Sequence, residues 1–243
     1  MSLLEDRLQD RVVVITGAAK RIGRAIALRL AQEGARVAIH YHQSENEARA
    51  TAAECGKAPL FRANLERVGE IETLFGAVER HFGRIDGLVN NAARFTRFDP
   101  LAITEADWDF VHSVNLKATF FCCQQAARRM LARDGGRIVN LSSLGGLRPW
   151  AHHAHYCASK AGVIMLTRAL AKAFAPKVTV NSVAPGVIPF GERDDRTKRL
   201  IARTPACRAG TAEEISDAVV FFLTASNFVT GQVVAVDGGL ELT

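Results

Sequence analysis

No uninterrupted apolar run in the chain approaches the roughly 18 residues that a membrane-spanning helix requires, and the first residues lack the basic and apolar regions of a secretory signal. These absences exclude an integral membrane helix and an exported protein, so a soluble, cytoplasmic protein is expected. Cysteine is scarce: Cys55, Cys122, Cys123, Cys157 and Cys207 are odd in number and show no paired ligand spacing. That excludes a disulfide framework and a zinc site, and suits reduced thiols. No charged tail is present; the formal charge of +6 is spread along 243 residues. Such a diffuse field favours an anionic cofactor or substrate without implying nucleic-acid binding. Internal repeats, low-complexity tracts and interdomain linkers are also missing, which makes residues 1–243 one domain.

What the chain does contain is a rhythm. Short β-rich runs (Val12–Thr16, Arg36–His40, Ala58–Arg62, Gly87–Asn90, Arg137–Leu141, Thr179–Val183 and Val233–Val236) alternate with segments whose apolar residues recur at helical spacing, such as Ile22, Ile26 and Leu30. Seven strands separated by amphipathic helices predict right-handed crossovers and a doubly wound α/β fold, a parallel sheet with helices on both faces. A closed α/β barrel is the alternative. The least regular polar stretch, Phe190 to Arg203, reads as part of a mobile substrate flap over residues 187–204.

The first strand runs into Thr16-Gly17-Ala18-Ala19-Lys20-Arg21-Ile22-Gly23 and then a helix. Gly17 permits a tight turn, Gly23 permits close backbone approach, and the free N–H groups of the new helix attract a pyrophosphate, with Ile22 beside it. Lys20 and Arg21 add cations, while the second strand ends in His40-Tyr41-His42-Gln43-Ser44 without the acid that binds the ribose hydroxyls of NAD. The expected cofactor is therefore NADPH, with Arg21, His40 and Ser44 around the extra phosphate and Tyr41 alongside; the plainer reading of these cations is a solvated basic edge. Asn91 and Ala92, after the fourth strand, line the same crevice. Asn64 and Leu65 follow the third strand, where Asn64 either contacts adenine or caps its own turn. Backbone near Pro185, Gly186 and Ile188 can hold the nicotinamide amide.

Tyr156 and Lys160 share one face of a helix. A phenol titrating near ~10 needs a neighbouring positive charge to serve in neutral acid–base catalysis. Ser143, closing the fifth strand, is the expected carbonyl-polarising group, and Asn115, interrupting a helical pattern, is expected to hold a water that links Lys160 to solvent. His152, His153 and His155 precede Tyr156 without accompanying acidic or cysteine ligands, and no metal is assigned to them.

Through Thr16-Gly17, Gly23, Asn90-Asn91-Ala92, Asn115, Ser143, Tyr156, Lys160 and Pro185-Gly186, the chain resembles the short-chain dehydrogenase/reductase family. The resemblance implies a Rossmann-like fold, a homotetramer, tyrosine as proton donor or acceptor, lysine lowering its pKa and binding ribose, serine orienting substrate and asparagine supporting a proton relay. Arg21 and Phe95 resemble the pteridine reductase branch, where an aromatic ring sandwiches a flat pterin, and Pro185 to Asp195 resembles the dihydromonapterin reductases. Serine at 143, where pteridine reductases carry aspartate, departs from that branch. A pterin is thus the first expected small-molecule substrate, a 3-oxoacyl thioester or other ketone the second, and a noncatalytic NADPH sensor the third reading. Phe95 is either a stacking surface or a core ring; Trp150 and Phe190 either edge the substrate pocket or bury themselves against another subunit.

Overall fold

A computed structural model describes residues 8–192 and 194–243. The strands are β1 (Val12–Ile15), β2 (Arg36–Tyr41), β3 (Leu60–Arg62), β4 (Gly87–Asn90), β5 (Gly136–Leu141), β6 (Val178–Pro185) and β7 (Val233–Val236). They form one seven-stranded sheet in the order β3-β2-β1-β4-β5-β6-β7, with every pairing parallel. The open order excludes the closed barrel. The order reverses between β1 and β4, where the chain leaves one side of the sheet for the other, and the crevice at such a point is where ligands of open α/β sheets bind.

The helices are α1 (Arg21–Gln32), α2 (Glu45–Glu54), α3 (Val68–Phe82), α4 (Glu105–His112), α5 (Thr119–Leu131), α6 (Ala154–Phe174), α7 (Asp195–Arg203) and α8 (Ala212–Thr224). Period-two side chains divide the sheet into two apolar faces. Val13, Ile15, Val37 and Ile39 face Ile26 and Leu30 of α1 and Ile215, Val219 and Phe222 of α8. Val12, Val14, Leu88 and Ile138 face Ile71 and Phe75 of α3 and Cys122, Cys123 and Met130 of α5. Both β1 faces are buried, which explains its near-continuous apolar run.

Local signals set several boundaries. Thr104 and Asp107 form a reciprocal cap at the start of α4, as do Thr211 and Glu214 at α8, satisfying N–H groups that the first turn leaves unpaired. Between α4 and α5 the backbone widens into a π-helical segment, Ser113–Ala118, which carries Asn115 into the interior. The stretch read as least regular contains α7. Its polar composition hides the helix, whose N-terminus Asp194 caps by accepting the Thr197 N–H at 2.7 Å. Among the described residues no helix is long and apolar enough to cross a membrane.

Phe75 is fully buried between α3, α5 and the sheet. Phe75→Ala should lower unfolding free energy by about 3–5 kcal/mol, measured by urea denaturation; a loss below about 1 kcal/mol would contradict this packing.

Candidate active site

At the β1–β4 reversal lies a cleft of about 580 Å³. Gly17 turns the chain out of β1 at φ +63°, and a Cβ there would lie 3.0 Å from the Ala92 Cα. A Cβ on Gly23 would lie 2.3 Å from the Gly17 carbonyl oxygen and 2.5 Å from Asn91 Nδ2, so only glycine lets α1 approach the turn this closely. The Asn91 side chain donates to the Thr16 and Gly17 carbonyls, both at 2.9 Å, while Thr16 Oγ1 accepts the Asn91 and Ala92 N–H groups at 3.0 and 3.1 Å. Thr16 thereby joins the two strand ends. Its place in the motif was visible, but its role as a double acceptor was not.

Lys20 precedes α1 without a side-chain cap, leaving the first N–H groups of the helix without that competitor. Arg21 has φ +56°, a conformation that costs a non-glycine residue roughly 1–2 kcal/mol. Its guanidinium sits 5.8 Å from the Phe190 ring centroid at the lip of the cleft. Lys20 pairs loosely with Glu47 at 3.7 Å. Ser44 begins α2 without capping it, so its hydroxyl is not committed to that helix.

His40 does not serve as expected. Its Nδ1 accepts the Gly17 N–H at 3.0 Å and its Nε2 meets the Ala63 carbonyl at 3.1 Å, so both nitrogens are committed to backbone. Complete burial lowers its pKa to about 4. His40 is therefore a neutral brace beneath the turn rather than a phosphate cation. Asn64 shows the capping alternative: its Oδ1 accepts the Glu66 N–H at 3.1 Å. Leu65 and Tyr41 are buried along the same wall.

At the other end of the cleft, α6 presents Tyr156 and Lys160, both buried. Lys160 Nζ donates to the Leu141 carbonyl at 2.7 Å and lies 5.9 Å from the Tyr156 ring centroid. Desolvation lowers the ammonium's pKa to about 8. Burial pushes the Tyr156 phenol up to about 12, partly offset by the neighbouring Ser143 hydroxyl. The ammonium is anchored to backbone beside the ring. Ser143 Oγ also accepts the Gly145 N–H at 3.0 Å, which orients the hydroxyl.

Asn115 differs from its expected role too. Its Oδ1 accepts the Arg94 N–H at 2.7 Å, and its Nδ2 donates to the Arg94 carbonyl at 2.9 Å and Ser159 Oγ at 3.1 Å. With both amide donors engaged, the side chain ties the loop after β4 to α6 and cannot also donate to a relay water. Arg94, which had no sequence signal, extends that tie through a 2.7 Å contact with Glu66 and a 2.9 Å bond to the Phe110 carbonyl.

Phe95 is 58% exposed, which rules out a core role. Its ring stands edge-on to Tyr156 at 4.7 Å and stacks on His153 at 4.6 Å. Trp150 lies parallel to Tyr156 at 6.1 Å. Pro185, Gly186, Ile188 and Phe190 complete the lining, with Ile22, Ala92 and the groups above. Thus every residue singled out for cofactor or substrate lines one cleft, while Asn115, singled out for the proton relay, is buried and does not line it.

A parallel doubly wound sheet, a glycine-shaped turn at its reversal point and a paired phenol and ammonium define a nicotinamide-type oxidoreductase. Comparison with known proteins makes this specific: the family profile described as enoyl-(acyl carrier protein) reductase matches residues 17–241. A 3-oxoacyl-[acyl-carrier-protein] reductase of Synechocystis sp. is 38% identical over 97% of this chain and 98% of its own length. Its counterpart from Thermotoga maritima is 40% identical over 97% and 100%. A Serratia marcescens short-chain dehydrogenase/reductase mutant structure superposes with a TM-score of 0.91 at 31% identity, covering 97% of this chain and 99% of the other. The chain belongs to the short-chain dehydrogenase/reductase family and is an oxidoreductase. The Synechocystis and Thermotoga relatives carry oxoacyl reductase names, and none of the three supports the pteridine branch in particular.

Burial of Lys160 has a measurable consequence. Its pKa falls from 10.5 unfolded to about 8 folded, so between those values the unfolded chain binds more protons and folding stability rises with pH. The rise attributable to this group amounts to about 3 kcal/mol across the window. Lys160→Met should therefore be more stable than wild type below pH 8, the advantage shrinking towards pH 10.5. Urea titrations of both proteins across that range check it; a constant difference would refute it.

Proposed function

We propose that this chain is a cytoplasmic, NADPH-dependent reductase acting on the ketone of a 3-oxoacyl thioester. The observation that carries the reading is a serine hydroxyl, Ser143, facing the Tyr156 phenol within the cleft, where it opposes the rise in the phenol's pKa that burial causes. Two hydroxyls meeting at one point can both donate to a carbonyl oxygen, the geometry that polarises a ketone. The near full-length similarity to oxoacyl reductases supports the substrate class.

The cleft fits a dinucleotide: a cradle that a Cβ at Gly23 would fill, uncapped first-turn N–H groups, and a lining that runs from Asn64 to Ile188. When bound, the reduced nicotinamide supplies the hydride. Arg21, Lys20 and Ser44 favour the form with the extra phosphate, because no carboxylate stands at the end of β2 and the acids that begin α2 are already paired, Glu45 with Arg49 and Glu47 with Lys20. Tyr156 then donates its proton to the carbonyl oxygen. A phenol held protonated by burial is suited to that direction. Lys160, anchored on Leu141, turns its remaining N–H donors to the cleft, where a ribose hydroxyl and the phenolate left after proton transfer can use them. Asn115 positions this group by holding Ser159 and the Arg94 backbone.

The stretch 187–204, with α7 in it, acts as the substrate flap, and the enzyme works as a homotetramer. Exposed Trp108 and Phe110 on α4 and Phe221 on α8 support the assembly. A second substrate reading, a dihydropterin, is favoured by one observation, the exposed Phe95 ring beside Tyr156. Stacking on a flat heterocycle suits such a ring.

With NADPH in excess, acetoacetyl thioester should be reduced and dihydrobiopterin turned over far more slowly; the reverse preference would establish the pterin reading. Tyr156→Phe should cut kcat by about 10²–10⁴-fold with NADPH affinity intact. Unchanged turnover would remove Tyr156 from the chemistry, and loss of NADPH binding would make its role structural. Arg21→Glu should weaken NADPH by about tenfold or more while sparing NADH, measured by fluorescence titration; equal effects on both cofactors would remove Arg21 from the phosphate site.

A further inference from the structure

His153 is fully buried behind the exposed face of Phe95. Its Nδ1 lies 2.8 Å from the Thr96 carbonyl and must donate to it. Its Nε2 is then the acceptor, and it meets Arg196 Nη1 at 2.9 Å. Arg196 stands in the first turn of α7, so the contact joins the proposed flap to the aromatic wall of the active site. The chain of contacts from guanidinium to imidazole to Phe95 ends on the Tyr156 ring.

The partner of this guanidinium is unusual. A half-buried arginine is ordinarily matched by a carboxylate, yet here it is held by a neutral ring. The hydrogen bonds of the nearby acids go elsewhere: Asp194 caps α7 through the Thr197 N–H at 2.7 Å and meets the charge of Arg196 only from beyond ion-pair distance, and Asp195 pairs with Lys198 at 3.4 Å. Among the described residues no carboxylate lies within ion-pair distance of Arg196. Exposed Arg97 adds a second positive charge near His153. Burial and these cations lower the His153 pKa, which keeps the ring an acceptor. The imidazole therefore aims the guanidinium without neutralising it, and four of its five N–H donors remain for another group.

We propose that Arg196 is a specificity-determining residue that binds an oxyanion of the substrate, a carboxylate or a phosphate, with His153 as its positioning residue. This rests on the carbonyl reductase reading of the cleft and adds to it that the preferred ketone is anionic. A bidentate guanidinium contact gives both charge and orientation, so the anion fixes which carbonyl face lies against Tyr156 and Ser143.

Three ketones separate the possibilities: acetoacetate, whose carboxylate adjoins the ketone; acetoacetyl-coenzyme A, whose phosphates are remote; and the uncharged N-acetylcysteamine thioester of acetoacetate. Arg196→Gln should raise KM for one of the two anions by about tenfold or more, leaving kcat and the KM of the uncharged thioester near wild type. The anion affected identifies the carboxylate or the phosphate. Arg196→Lys should recover part of the loss, and His153→Ala should reproduce the KM effect without weakening NADPH. Equal effects on charged and uncharged ketones, or no effect on either anion, would overturn the inference. If wild type reduces none of the three, the reductase reading fails on its own. Arg196 is then judged by equilibrium binding of acetoacetate and acetoacetyl-coenzyme A to the protein saturated with NADP+, followed by tryptophan fluorescence. Tighter binding to wild type than to Arg196→Gln supports the inference, and equal or undetectable binding to both rejects it.

Discussion

The clamp between Thr16 and Asn91 is the constraint on which the rest of the site depends. One hydroxyl accepting two backbone N–H groups, and one amide donating to two carbonyls, hold the ends of β1 and β4 together where the sheet order reverses. The segments that leave these two neighbouring strands part at such a point, and without cross-links the polar groups at the strand ends would need water. The clamp satisfies them internally and keeps the crevice open above. His40 braces the same turn from β2 by accepting the Gly17 N–H, and Gly23 lets α1 close against it.

Burial then sets the protonation states at the far end of the cleft. Tyr156 and Lys160 are both removed from water, and the consequences are opposite: the phenol is kept protonated while the ammonium is made easier to deprotonate. Their helical spacing places Lys160 Nζ 5.9 Å from the Tyr156 ring centroid, while the structure ties the ammonium to Leu141 and puts the Ser143 hydroxyl beside the phenol. The pair is therefore poised rather than already activated. Burial thus keeps the resting protein from holding a buried phenolate.

Much of this organisation was legible in the chain. A parallel strand buried on both faces leaves a near-continuous apolar run, as β1 does, and seven short β-rich runs alternate with helical periodicity, so the sheet could be counted within a residue or two at most boundaries. The Gly17 and Gly23 positions, the phenol–ammonium pair and Ser143 could be named because few backbones demand glycine there and few helices carry that pair beside a strand-ending serine. Helix α7 was not legible: only Leu200, Ile201 and Ala202 of its residues are apolar and none is buried, so its polar composition masks a helix held by a local cap. Arg94 gave no signal either, since a lone arginine in a polar loop looks solvated until the partners that surround it are brought near.

By itself the sequence determined the class of fold, the location of the nucleotide turn and the identities of the groups that meet in the cleft. These follow from local spacing, backbone permissiveness and the chemistry of residue types. Tertiary structure alone decided how those groups are used: that His40 is a neutral brace, that Asn115 spends both amide donors on neighbouring segments, that Phe95 is exposed, and that Arg196 rests on a ring instead of a carboxylate. The physical reason is common to all four. A side chain's donors, acceptors and charge are committed by partners far away in the chain, and only folding determines which partners those are.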